Sequence, residues 1–243
     1  MFSTSTPVTA ARFHNRKAEL LRLEEAIGKL RSGSPLWVAI IGPRKVGKTS
    51  LVMESVRRAA APSMLVVTLD VQESAPVSPE LFRLYVLRVL DAVFGPELGE
   101  SIEHLARRPA DFRRLLQRSD RFMHLPAEMR ADLLETVDGE ATRDRVGGWL
   151  HLPEMLAATL DLRFIVALDE FDQLERLSSQ RDGFDAFTLM RSVWQKQIRV
   201  TYFVSGSARS MLLTLVTAEH SPFFQHFSVL ELGPFGREDA ISL

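Results

Sequence analysis

Two short stretches of this chain carry residue types and spacings that can do chemistry. The first is Gly42-Pro43-Arg44-Lys45-Val46-Gly47-Lys48-Thr49, followed by Ser50, a full match to the pattern G-x-x-x-x-G-K-[S/T]. Glycines at both ends let successive backbone N–H groups turn inward around an anion where a Cβ would obstruct its approach. A helix starting near Lys48 adds the positive end of its dipole. Lys48 is then placed for the outer phosphates of a triphosphate, and the Thr49 hydroxyl for Mg²⁺. Arg44 and Lys45, inside the loop, are expected to point outward. The second stretch is Phe164-Ile165-Val166-Ala167-Leu168-Asp169-Glu170, an apolar run closed by two carboxylates. An Asp at that position holds Mg²⁺ through Thr49 or water. The adjacent Glu is placed to orient and deprotonate an attacking water.

Those groups need a scaffold that brings position 49 to position 169. Trp37 to Ile41, Met64 to Leu69, Arg163 to Leu168, Arg199 to Val204 and Phe227 to Leu232 read as buried strands. Helical patterns fall between them. Glu19 to Leu30 has Leu20, Leu23, Ile27 and Leu30 on one face, and Thr49 to Ala61 follows the loop. A third starts at Ser78-Pro79 and is expected to stop at Gly95-Pro96, and Phe184 to Gln197 is a fourth. Strands alternating with helices predict an α/β fold, a parallel sheet with helices on both faces. The expected organisation is an N-terminal segment and helix over 1–35 and a P-loop ATPase core over 36–243. A polar, helical stretch over about 99–152 breaks the rhythm and reads as an insertion between the second and third strands.

Composition bounds the rest. The chain has 243 residues, 46% hydrophobic and 25% charged, which fits a packed globular core. A net charge of −1 supplies no global field toward nucleic acid or anionic lipid. Cysteine is absent, which removes disulfides and thiolate metal sites and fits a reducing compartment. No apolar run approaches the roughly 20 residues of a membrane span, and residues 1–10 lack the apolar core of a secretory signal. A cytoplasmic location is expected. Guanine-specific loops of this kind read their base with an Asn/Thr-Lys-x-Asp motif. Asn15 is the only asparagine here and no Thr-Lys pair exists, so ATP is the expected nucleotide.

With these motifs the sequence resembles the AAA+ superfamily, more narrowly its archaeal-type ATPase branch near the STAND NTPases. Phe13-His14-Asn15-Arg16, the loop through Ser50, Leu168-Asp169-Glu170-Phe171, Phe203-Val204-Ser205-Gly206-Ser207 and Leu232-Gly233-Pro234-Phe235 carry the likeness. The resemblance implies five parallel strands in the order 5-1-4-3-2 and places Phe13 and Arg16 near the adenine. It also implies a sensor at the polar end of the fourth strand, Ser205 first and Ser207 second. A helix N-cap for the segment at Met211 is the equal alternative for either serine. Two departures stand out. Where the family often carries Gly-Arg before the fifth strand, this chain has Gln225-His226, and a largely neutral His cannot act as an arginine finger. Arg209 is a substitute, or else an ordinary surface arginine. The chain also stops at Leu243, where Gly236-Arg237-Glu238-Asp239 should begin a lid helix, so a fragment with most of its C-terminal lid absent and slow hydrolysis is expected.

The resemblance thus implies ATP and Mg²⁺ as ligands and an ATPase that couples nucleotide state to a homo-oligomer, a protein partner or an attached domain. One alternative is a nucleotide-dependent switch with little turnover. Another is a DNA-associated factor, drawn from Arg107, Arg108, Arg113, Arg114, Arg118 and Arg121. On one continuous helix Arg107, Arg114, Arg118 and Arg121 would share a face. A solvated face paired with Asp111 and Asp120 is the preferred explanation of that cluster, and the net charge gives DNA no support.

Overall fold

The five apolar residues after Pro35-Leu36 form β1 (Trp37–Ile41), and all five are buried. Their side chains alternate between two hydrophobic clusters. Trp37, Ala39 and Ile41 enter one, Val38 and Ile40 the other, as the two-residue period of a strand dictates. β1 is therefore an inner strand covered on both faces. In the computed structural model, which describes residues 16–59, 61–74, 80–99, 109–136, 142–178, 185–207 and 209–233, β2 (Met64–Asp70), β3 (Arg163–Asp169), β4 (Val200–Gly206) and β5 (Phe227–Glu231) complete the sheet. Its order is β2-β3-β4-β1-β5, every pairing parallel. Counted from the other edge this is the expected 5-1-4-3-2.

Helices cover both faces. α1 (Lys17–Arg31) buries Leu20, Leu23, Ala26, Ile27 and Leu30. With α2 (Lys48–Arg58) it packs on Val38, Ile40, Ile165 and Phe203. The opposite face carries α3 (Glu80–Leu98), α7 (Arg143–Leu160), α9 (Ala186–Trp194) and α10 (Arg209–Thr217). Asp185 caps α9 by accepting the Thr188 N–H at 3.2 Å. α8 (Glu175–Ser178) is a single turn between β3 and α9.

α3 does not stop at Gly95-Pro96. It continues through Pro96 to Leu98 and ends where Gly99 takes a left-handed φ of +70°, donating its N–H to the Gly95 carbonyl at 2.9 Å. A proline removes one donor and crowds one upstream carbonyl, which ends a helix only if nothing holds the next turn. Here Glu97 holds it. Its carboxylate accepts the Ser119 hydroxyl and the Asp120 N–H, both at 2.5 Å. Desolvation opposes its charge, yet these hydrogen bonds, the Arg121 N–H and the Arg121 charge keep its carboxyl below the ordinary range.

The arginine-rich stretch is likewise not one helix. α4 (Pro109–Leu116) is followed by a break and by α5 (Asp120–Met123), whose N-cap is Ser119, accepting the Phe122 N–H at 3.1 Å. The helix is interrupted between Leu116 and Asp120, so the one continuous helix on which Arg114, Arg118 and Arg121 would share a face does not form. Arg121 instead donates to the Val93 carbonyl at 3.0 Å. Arg107 and Arg108 lie outside the described residues. α6 (Ala127–Thr136) follows, and α7 then runs unbroken across position 152. No helix among the described residues is long and apolar enough to cross a membrane.

Candidate functional site

The loop between β1 and α2 starts at the carboxyl end of an inner strand. Gly42 is buried there, and a Cβ built on it would stand 2.5 Å from the Leu232 carbonyl oxygen. Only glycine lets the loop leave β1 so close to the exit of β5. Gly47 caps α2 with φ +97°, a conformation that costs an L side chain but not glycine. Lys45 also takes a left-handed φ, +64°. Arg44 and Lys45 are exposed, Val46 and Ser50 half-buried. Lys48 is 6% exposed, and its ammonium donates to the carbonyls of Gly42 at 2.9 Å and Pro43 at 3.2 Å, curling across the loop.

Thr49 and Asp169, 120 positions apart, meet. The Thr49 hydroxyl donates to Asp169 Oδ2 at 2.8 Å. The other carboxylate oxygen, Oδ1, accepts the Ser205 hydroxyl at 2.7 Å and the Glu170 N–H at 3.0 Å. Both serine hydroxyls are thus turned toward carboxylates: Ser207 donates to Glu170 Oε2 at 2.8 Å, with its N–H on the same oxygen at 3.4 Å.

Glu170 is 8% exposed and sits at φ +52°. A non-glycine residue held in that region stores strain that its surroundings must overcome. Phe171 does this. It is fully buried against Phe187, Trp194 and Phe223, ring centroids 5.4 to 6.0 Å away. Burying one such ring is worth roughly 1.5–3 kcal/mol, enough to hold the turn after β3 in a strained conformation.

Arg16 lies at the rim. Its guanidinium bonds the Glu19 carboxylate at 3.1 Å, the Gly233 carbonyl at 2.6 Å and the Val46 carbonyl at 3.5 Å, tying the loop to the chain after β5. Phe13 and the lid residues after Gly233 lie outside the described residues, as does the side chain of Arg209. Gln225 occupies a left-handed φ of +59°. His226 stacks on Trp37 at 5.4 Å and accepts Arg191 Nε at 3.3 Å. Burial, and then the Arg191 charge, hold its imidazole below the ordinary value.

The donor chemistry fits a small hard cation. A hydroxyl and a carboxylate at one point are oxygen ligands of the kind Mg²⁺ takes from protein, one or two at a time, the rest coming from phosphate and water. Among the described residues no group of three or more His, Cys, Asp or Glu gathers in a metal-holding cluster.

Sequence reasoning missed Asp172. It is fully buried, its Oδ2 accepts Gln173 Nε2 at 3.0 Å, and its Oδ1 has no partner. Burial chiefly, with the Glu170 charge, pushes its carboxyl above the usual range, while Lys48 opposes the shift. The signal available was slight: Gly206 lies just past the strand read from the sequence, Arg199 to Val204, and a glycine there can mark close approach of another group.

A family profile described as "AAA ATPase domain" matches residues 12–193. Among solved structures, a Walker-type ATPase of Pyrococcus abyssi superposes with a TM-score of 0.60 at 18% identity, covering 98% of this chain and 59% of the other. The ORC2 protein of Aeropyrum pernix, solved in ADPNP–ADP complexes, gives 0.59 at 15% identity, with 98% and 53% covered. Cdc6p from Pyrobaculum aerophilum gives 0.51 at 14% identity, with 98% and 50% covered. These likenesses are of fold. The chain spans between half and about three-fifths of the length of these structural neighbours. No curated protein sequence matches it.

Proposed function

The chain belongs to the AAA ATPase domain family, and from that premise we propose that it binds ATP with Mg²⁺ and hydrolyses it, using the nucleotide state to drive a protein partner, a second copy or an attached domain. The observation that carries this reading is the 2.8 Å contact between Thr49 and Asp169 at the mouth of the loop. The backbone amides from Gly42 to Ser50 cradle the phosphates, and Lys48 leaves the Gly42 and Pro43 carbonyls to meet the outer ones. Thr49 and Asp169 hold Mg²⁺, which when bound neutralises charge on the phosphate oxygens. Ser205, on Asp169 Oδ1, orients that carboxylate.

Glu170 acts as the base. It takes a proton from water as the water oxygen bonds to the γ-phosphorus and the bridge to the β-phosphate breaks, giving ADP and inorganic phosphate. Ser207 fixes the direction of its carboxylate. Arg16 braces the loop from the rim, with Phe13 on the adenine side.

His226 favours a second reading. An arginine finger is worth about 10³–10⁵ in rate, and a neutral imidazole engaged with Trp37 and Arg191 supplies none of it. A slow domain of this kind works as a switch set by bound ATP or ADP. The DNA-associated reading draws on no comparable observation, since α4 and α5 are not one continuous helix and Arg121 donates to the Val93 carbonyl.

Binding of a fluorescent ATP analogue tests the ligand assignment. It should need Mg²⁺, be displaced by ATP and ADP far better than by GTP, and be lost in Lys48→Ala. Equal displacement by GTP, or full binding by Lys48→Ala, would contradict it.

A further inference from the structure

Three consecutive residues at the end of β4 each meet one residue of the acidic turn after β3. Ser205 bonds Asp169, Ser207 bonds Glu170, and between them Gly206 lies against Asp172. A Cβ built on Gly206 would stand 2.2 Å from Asp172 Oδ1 and 3.3 Å from its Cγ. Gly206 has an ordinary strand conformation, absent from the residues with positive φ, and pairs with Ile41 inside the sheet. Its backbone therefore does not require glycine. A glycine at a paired strand position marks the close approach of another group, and here that group is a carboxylate.

Asp172 itself is an unusual choice for the position. It is fully buried, one oxygen has no hydrogen-bond partner, and an apolar side chain would fill the same space without that penalty. The unpaired oxygen is the one pressed on Gly206.

We propose that Asp172 is a positioning residue of the ATPase site: packed against Gly206, it sets the register of the β4 end so that Ser205 and Ser207 reach Asp169 and Glu170 together. The inference rests on the ATPase reading above. The interlock works through shape. If the β4 end slides, both hydroxyls move with it, because they flank Gly206 in an extended backbone. The loop before α2, which supplies the amides for the phosphates, is left intact; only the part of binding that runs through Mg²⁺ and Asp169 moves with Ser205.

The test is a double-variant cycle on the full chain, with Gly206→Ala, Asp172→Ala and both together. Gly206→Ala forces a methyl onto the carboxylate, and a misplacement near 1 Å costs about 10²-fold in turnover. That loss should fall mainly on kcat, and binding of the nucleotide measured without Mg²⁺ should be unchanged. Asp172→Ala on the Gly206→Ala background removes the clashing atoms, leaving the flexible Leu212 side chain, 3.2 Å from the new methyl, to yield. Asp172→Ala alone should lower kcat, because nothing then packs on Gly206. In the double variant the Ala methyl takes up the space that the carboxylate leaves, and most of the lost kcat should return. Thermal denaturation of the same four proteins measures the steric coupling without catalysis, and Glu170→Gln reports separately whether the wild type hydrolyses ATP. The proposal fails if Gly206→Ala or Asp172→Ala keeps wild-type kcat. It also fails if the double variant regains stability but no turnover while Glu170→Gln is dead. Wild-type turnover no higher than that of Glu170→Gln would instead sink the hydrolysis reading and leave the interlock to be judged by the denaturation cycle.

Discussion

Replacing Glu170 by Gln removes a base and almost nothing else. The two side chains have the same shape, and the amide oxygen still accepts from the Ser207 hydroxyl and N–H, which lie 2.8 and 3.4 Å from Oε2 in the wild type. A hydrogen bond to a charged group is worth about 1.5–3 kcal/mol and one to a neutral group about 1 kcal/mol. The fold therefore loses on the order of 1 kcal/mol, a Tm decrease of about 2–4 °C for a chain of this size. Catalysis loses far more. General-base action contributes about 10²–10⁴-fold, which at 1.36 kcal/mol per decade raises the barrier by about 3–5 kcal/mol. Lys48, Thr49 and Asp169 are untouched, so ATP affinity should hold. The assay is steady-state phosphate release beside titration of a fluorescent ATP analogue at fixed Mg²⁺ and salt. Turnover equal to wild type would refute the base assignment and leave the switch reading standing. Loss of ATP binding would show that Glu170 serves the ligand rather than the water.

The amino edge of the sheet and the loop at its opposite edge give two further expectations. His226 is held below its ordinary value of 6.5 by burial and by Arg191, so the unfolded chain takes up a proton there before the folded chain does. Stability should fall as pH drops from 6.5 through the folded value, with no contribution above 6.5. His226→Gln removes that dependence, so its Tm should decline less than wild type between about pH 8 and 5.5; parallel declines would count against the assignment. Gly42→Ala places a methyl 2.5 Å from the Leu232 carbonyl, and overpacking of this kind costs about 1–3 kcal/mol. Chemical denaturation should show that loss, and ATP affinity should fall with it because the loop must shift; a variant as stable as wild type would mean the β5 exit yields freely.

Much of the scaffold was legible because its signals are local. A five-residue apolar run before a glycine can only be an inner strand, and the alternation of Trp37, Ala39 and Ile41 against Val38 and Ile40 shows why. The approach of Thr49 to Asp169 could be anticipated because both stand at the carboxyl edge of one parallel sheet. What escaped depends on distant partners. Pro96 reads as a helix stop until Glu97 is seen bound to Ser119 and Asp120, more than twenty positions away. The arginine stretch reads as one helix until Ser119 caps a second one. Asp172 was hidden for the same reason: one more Asp beside the Asp169–Glu170 pair is unremarkable until its oxygen is found against Gly206, at the end of the neighbouring strand.

One arrangement underlies the functional account, the joint use of Thr49 and Asp169 by a single metal ion on a triphosphate. A crystal structure with Mn²⁺ and a non-hydrolysable ATP analogue tests it directly, because the anomalous signal locates the ion independently of the rest of the map. The account predicts one Mn²⁺ bonded to Thr49 Oγ1, bonded to or one water from Asp169 Oδ2, and in contact with phosphate oxygens held along residues 42–49. An ion or a triphosphate bound elsewhere, with the Thr49–Asp169 hydrogen bond still intact, would contradict it.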